Sequence, residues 1–167
     1  MSKVGIIMGS KSDLGVAENA IKVLKDFGIG VEVIVASAHR TPERTSEWTK
    51  SAEKNGISVI IALAGAAAHL AGVVASETNL PVVAVPVSAT TLGGLDALLS
   101  MVQMPGGIPV ATMAIGAAGA KNAGIFAAQI IGVKDEAIAQ KLKDYKEKMK
   151  QDVYKANEEV QAMLRGE

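Results

Sequence analysis

Short runs of consecutive apolar residues alternate along this chain with longer stretches in which apolar residues recur every three or four positions. The short runs are Val4 to Met8, Val31 to Ala36, Ile57 to Leu63, Pro81 to Pro86 and Val110 to Ile115. A run that is apolar throughout, rather than at every second residue, is the pattern of a strand covered on both faces, as in a parallel sheet. Between the first two runs, Val16, Ala17, Ala20, Val23, Leu24 and Phe27 fall at helical spacing before Gly28 and Gly30, with Ser12 or Asp13 able to cap. Thr41-Pro42 supplies an N-cap and a first-turn proline for a second helix running to about Lys54, with Asn55-Gly56 as its terminator. The third run passes through Ala64-Gly-Ala-Ala-Ala-His69 into a helix of small residues. Gly94 precedes a helix carrying Leu95, Leu98 and Leu99, and Met104 to Pro109 is a turn cluster. A last apolar helix is expected from Lys121 to about Ile131.

Strands alternating with helices imply an α/β fold with right-handed crossovers and helices on both faces of a parallel sheet. The strand order expected is the flavodoxin-like 2-1-3-4-5. Residues 1–167 read as one domain, with a core over 1–132 and a helical extension over 133–165. In that extension Ile138, Leu142, Tyr145, Met149, Val153, Ala156, Val160 and Met163 keep a near-helical rhythm on a charged background. One long amphipathic helix packing on a neighbour is expected.

Composition narrows the chemistry. Lys+Arg and Asp+Glu each number 17, so no overall charge favours a nucleic acid polymer or an anionic membrane, and any phosphate must be met by a local site. The absence of cysteine removes thiolate nucleophiles, thiolate zinc sites and disulfides, and two histidines are too few for most histidine-rich metal sites. The start shows no signal-peptide pattern, and the apolar stretch from Val59 to Ala75 is broken by Gly65, His69 and Gly72, so a cytoplasmic protein without a membrane span is expected. Hydrophobic residues make up 49% of the chain and aromatics only 3%, more small apolar surface than one such domain usually hides; a homo-oligomer is expected.

Ligands of open parallel sheets bind beyond the carboxyl ends of the strands, near the point where strand order reverses. Here those ends are Gly9 to Asp13, Ser37 to Arg40, Ala64 to His69, Ser88 to Gly93 and Gly116 to Gly119, and all five loops could line one cleft. Gly9-Ser-Lys-Ser-Asp13 offers free N–H groups and two hydroxyls to a phosphate and a carboxylate to ribose hydroxyls; an ordinary capped turn explains it equally well. Arg40 is a permanent cation suited to phosphate, or else a surface residue. His39 is the natural proton shuttle, or a structural histidine. His69 could orient a ligand or cap the third helix. Gln103 sits in a connecting turn, and Trp48 reads as packing.

Taken together, Gly9 to Asp13, Ser37-Ala-His-Arg-Thr-Pro42, Ala67-Ala-His-Leu70, Leu95 to Ser100, Val102-Gln-Met-Pro105, Gly107 to Thr112 and Asn122-Ala123 resemble, in order, the class I 5-(carboxyamino)imidazole ribonucleotide mutase family of purine biosynthesis. The resemblance runs from about residue 3 to 132. It implies a flavodoxin-like three-layer sandwich, a homo-octamer, a ribonucleotide substrate, and no metal or organic cofactor. It further implies that Ser10, Asp13 and Arg40 bind the ribose phosphate with help from Ser12 and Ser37. His39 transfers the proton; Gly65, Ala66, Ala67 and His69 are expected to line the substrate site, the small residues from Gly65 to Ala68 leaving a tiny, dry pocket for carbon dioxide. A second class, which carboxylates aminoimidazole ribonucleotide directly, usually has Lys in place of Arg40 and an Arg-Ser-Asn segment in place of the turn ending in His69. This chain departs from the family at Ala66, where Gly is common, and at Ala71, where Pro is common. The Ala66 methyl group is expected to tighten the pocket or change the backbone angle. A non-catalytic nucleotide-binding module on the same fold is the remaining alternative.

Overall fold

The computed structural model describes residues 2–166. Five strands, β1 (Lys3–Met8), β2 (Gly30–Val35), β3 (Ile57–Gly65), β4 (Val82–Val87) and β5 (Ala111–Thr112), pair in parallel in the order β2-β1-β3-β4-β5. Val4 stands beside Val31 on one side and Val59 on the other, and Val83 joins Ile61 to Ala111. The helices are α1 (Leu14–Asp26), α2 (Pro42–Ser51), α3 (Leu70–Glu77), α4 (Leu95–Val102), α5 (Ala117–Gly132) and α6 (Glu136–Arg165).

Because strand side chains alternate between faces, the continuous apolar runs feed two separate cores. Val4, Ile6, Val59, Ile61, Leu63 and Val83 pack under α1 and α5. Ile7, Ile60, Ala62 and Ala84 face the other way, with Trp48, Leu70, Val74, Ala97 and Met101 from α2, α3 and α4. Small residues let the α1 and α5 backbones meet: a Cβ on Gly124 would lie 3.0 Å from the Ala20 carbonyl oxygen. Trp48 is packing, as expected, and its indole N–H donates to Glu32 Oε1 at 2.9 Å while Lys3 pairs with the other carboxylate oxygen at 3.2 Å.

The fifth strand differs from its expected span of Val110 to Ile115. Beyond Thr112 the chain still runs beside β4, with Met113 N–H donating to Ala84 O and Gly116 N–H to Pro86 O, both at 2.9 Å. Pro86 has no N–H to return on that side, so the ladder stops. The expected loop Gly116 to Gly119 is instead the start of α5, four residues ahead of the Lys121 anticipated from the pattern. Helix α2 ends at Ser51 rather than near Lys54, and turns lead to Gly56 at φ 80°.

Helix α6 is the expected long C-terminal helix. Its first turns dock on the α1 and α5 core: Ile138 is buried, Leu142 and Tyr145 are partly so, and Tyr145 meets Phe27 edge-on at 5.6 Å. From Met149 onward its large apolar residues, including Val153, Val160 and Met163, are exposed. Among the described residues no helix is long and apolar enough to cross a membrane.

Candidate active site

The chain leaves β1 for β2 on one side and returns to β3 on the other, so the carboxyl end of β1 is the switch point at which ligands of such sheets sit. Three turns converge there around a cavity of about 300 Å³.

The turn after β1 is held by side chains. Ser10 caps the turn, its hydroxyl accepting from Ser12 N–H at 3.3 Å while the Asp13 carboxylate accepts from Ser10 N–H at 3.0 Å; Asp13 holds the N-cap position of α1 without a side-chain capping bond to that helix. This reciprocal capping box opens a single 3-10 turn, Lys11–Asp13, that runs into α1. Asp13 is only 4% exposed. Burial pushes its carboxyl above the ordinary carboxylate range, and the Ser10 N–H, the Ser12 side chain and the nearby Arg40 charge offset that only in part.

The turn after β2 closes on itself. Ser37 N–H donates to Thr41 Oγ1 at 2.9 Å, the Thr41 hydroxyl donates to Ser37 O, and Arg40 N–H donates to Ser37 Oγ at 3.2 Å. Thr41 occupies the expected N-cap position of α2, but its hydroxyl is spent on this turn, and Pro42 starts the helix. The Arg40 guanidinium then reaches sideways to Gly9 O at 2.9 Å, tying the second turn to the first. Among the described residues no carboxylate lies within ion-pair distance of Arg40.

The turn after β3 is built from backbone. A Cβ on Gly65 would lie 2.5 Å from the Ala89 methyl carbon and 3.0 Å from Val87 O, so only glycine fits between β3 and the turn after β4. Ala66 follows at φ 55°, the one non-glycine residue among those described with a positive φ. His69 sits at the N-cap position of α3 but its ring makes no capping bond. Instead His69 Nδ1 lies 2.9 Å from His39 Nε2.

Ser10, Ser12, Asp13, Ser37, His39, Arg40, Gly65, Ala66, Ala67 and His69 line this one cavity, whereas Gln103 stands at the end of α4 and does not reach it. Of the five loops expected to share it, the one after β4 contributes only Ala89 and the one after β5 contributes nothing, because β4 and β5 lie progressively farther from the switch point. Ala89 lies in the expected Ser88 to Gly93 loop but was not singled out within it; its signal, a small residue opposite Gly65, exists only across two strands. Among the described residues no group of three or more His, Asp or Glu side chains is arranged to hold a metal ion. The cavity thus has a polar wall with one cation, a wall of small apolar residues, and two imidazoles, an arrangement able to hold a phosphorylated molecule and exchange a proton with it.

Residues 3–152 match the AIR carboxylase family. The N5-carboxyaminoimidazole ribonucleotide mutase of Thermotoga maritima is 60% identical over 153 residues, covering 92% of this chain and 88% of that one. The protein of the same name from Saccharolobus solfataricus is 56% identical over 153 residues, 92% of this chain and 96% of its own. A crystal structure of Treponema denticola PurE superposes with a TM-score of 0.86 at 31% identity, covering 96% of this chain and 99% of that one. By sequence along nearly its whole length and by fold, this chain belongs to the AIR carboxylase family.

Proposed function

We propose that this chain is an N5-carboxyaminoimidazole ribonucleotide mutase, moving a carboxylate from the exocyclic nitrogen of 5-(carboxyamino)imidazole ribonucleotide to a ring carbon. The observation that carries this reading is the division of labour between two consecutive residues: Arg40 turns to the polar β1 turn and His39 turns to the β3 turn. Arg40, Ser10, Ser12, Ser37 and Asp13 hold the ribose phosphate. Protonated His39 gives its proton to the carbamate nitrogen, the C–N bond breaks, and carbon dioxide is released beside Gly65, Ala66 and Ala67. The enamine carbon of the ring attacks the carbon dioxide, and His39 takes the proton that the ring carbon then sheds. The imidazole ends as it began, so the step is a net isomerisation and needs no metal or organic cofactor. The small wall keeps carbon dioxide next to the ring that released it, replacing a dilute second reactant by a held one. The naming of the Thermotoga and Saccharolobus relatives supports the same reaction.

In this reading residues 1–132 form one catalytic core with an extension over 133–165, and the protein works in the cytoplasm as a homo-octamer. The assembly is supported by α4, where Leu95, Leu99 and Val102 recur along one face at 47–52% exposure beside Leu92. Purified protein converts the carbamate without ATP or added metal, and His39→Asn lowers kcat by about 10²- to 10⁴-fold while leaving phosphate-ester binding largely intact. Turnover of aminoimidazole ribonucleotide only with supplied carbon dioxide, and none of the carbamate, overturns the assignment in favour of the direct carboxylase.

A further inference from the structure

Helix α6 carries one apolar stripe with two fates. Ile138, Leu142 and Tyr145 seat its first turns on the core formed with α1 and α5. The stripe then repeats eleven residues later at Met149, Val153 and Ala156 and runs on to Val160 and Met163. Eleven residues are close to three helical turns, so the pattern stays on one face: the last five members fall within about 80° of the helix circumference. In this second part the stripe lies open. The large side chains are 43% exposed at Met149, 67% at Val153, 51% at Val160 and 74% at Met163, and Ala156 between them is exposed as well.

The open part reads the same in both directions: Met, Val, Ala, Val, Met, centred on Ala156. A contact on a two-fold axis brings residue i of one copy to residue j of the other and j to i, so a stripe meeting itself antiparallel sets its first member against its last. Here that puts Met149 on Met163, Val153 on Val160 and Ala156 on Ala156. Like size faces like size. The smallest side chain stands at the axis, where crossing helices come closest, and the longest stand at the ends, where they diverge. Charge selects the same direction. Between residues 146 and 155 lysines outnumber acids four to two, whereas between 156 and 165 glutamates outnumber the single arginine two to one. Antiparallel pairing lays the basic half on the acidic half; parallel pairing lays each half on its like.

We propose that residues 149–163 of α6 pair antiparallel with the same segment of a second copy of this chain, across a two-fold axis at Ala156. The contact is separate from the α4 face of Leu95, Leu99 and Val102. It is self-complementary, so it closes on itself and joins copies only in twos; an octamer needs a second kind of contact to join the pairs. The effect on assembly mass given below rests on the octamer proposed above. The cross-links do not.

Two measurements test this on the full-length protein. The chain has no cysteine, so an introduced one reports its own neighbours. With a short bismaleimide, Ala156→Cys gives a covalent dimer on a denaturing gel, Met149→Cys alone gives none, and Met149→Cys combined with Met163→Cys gives the dimer again. In light scattering, Val153→Lys combined with Val160→Lys, both exposed positions that set like charges opposite each other, lowers the mass of the assembly to about half that of the wild type. Absence of the Ala156→Cys dimer, a dimer from Met149→Cys alone, which marks parallel pairing, or an unchanged mass in the double lysine variant overturns the proposal. A halved mass without the Ala156→Cys dimer seats the stripe on another surface of the second copy and overturns it too. If the wild type is not an octamer, the assembly proposed above falls while the cross-links still decide the pairing. If it is an octamer and the cross-links fail, the pairing falls alone.

Discussion

The turns after β1 and β3 face one cavity and are made in opposite ways. The β1 turn takes its shape from side chains, a serine cap and a buried carboxylate answering each other's backbone. The β3 turn has no polar side chain before His69; its shape comes from a glycine pressed against Ala89 and an alanine in the left-handed region. Under the proposed function, the difference teaches how a small neutral chain would make an anion site and a gas-sized pocket side by side. Gripping charge needs polar groups held in register, whereas a tiny space needs the backbone itself brought close, and side chains would fill it.

Four substitutions strain that contrast, from the largest effect to the smallest. Arg40→Ala removes the cation and the bond to Gly9 O; charge-assisted hydrogen bonds contribute about 1.5–3 kcal/mol, so KM for the carbamate rises about 10- to 100-fold. An unchanged KM means that the polar wall does not grip the phosphate. Gly65→Ala drives a methyl group into Ala89 and Val87 O, an overpacking that costs about 1–3 kcal/mol in urea unfolding. A loss below about 0.5 kcal/mol shows a β3 turn with slack, against the picture of a wall set by backbone contact. Ala66→Gly releases about 1–2 kcal/mol of left-handed strain against the greater unfolded-state entropy of glycine, leaving a net gain of under about 1 kcal/mol, read as a higher Tm. A lower Tm would place the strain elsewhere.

Asp13→Asn is the smallest effect and tests the other wall. Burial, the largest influence, raises the folded carboxyl above its unfolded value, so the folded state binds more protons over a window opening upward from the ordinary carboxylate range. Stability from this group therefore falls as pH rises through that window and is lowest above it. Asn keeps an acceptor for Ser10 N–H without the charge, so the variant melts above wild type at pH 7, and the gap narrows as pH falls toward 4. A variant that melts lower at pH 7 means the carboxylate stabilises the turn, and the polar wall carries no cost.

Much of this was legible in the sequence because strands and their following turns are local. The continuous apolar runs pointed to the parallel sheet, the flavodoxin-like order expected for it is the order found, and with the sheet came the ends where Ser10, Asp13, His39, Arg40 and His69 stand. The family resemblance then assigned them phosphate-holding and proton-carrying roles, which the substitutions above test. What was not legible depends on partners distant in the chain. The length of β5 is cut by the missing N–H of Pro86, on another strand. The share of Ala89 follows from the close approach to Gly65, and the bond between His39 and His69 joins residues 30 apart in sequence. The choice of Ser10 over Ser12 as cap is local, but it turns on whether Asp13 folds back on the turn, which spacing alone does not decide.

Strand order carries a consequence for how the cavity is lost. Its polar wall follows β1, its imidazole and cation follow β2, and its apolar wall follows β3, yet β1 lies between the other two. No contiguous piece of chain short of Ala89 contains the whole lining, and the cavity loses its apolar wall once β3 leaves β1. The site is thus as cooperative as the sheet: a local opening confined to α6 leaves it whole, while an opening that parts β1 from β3 removes it at once.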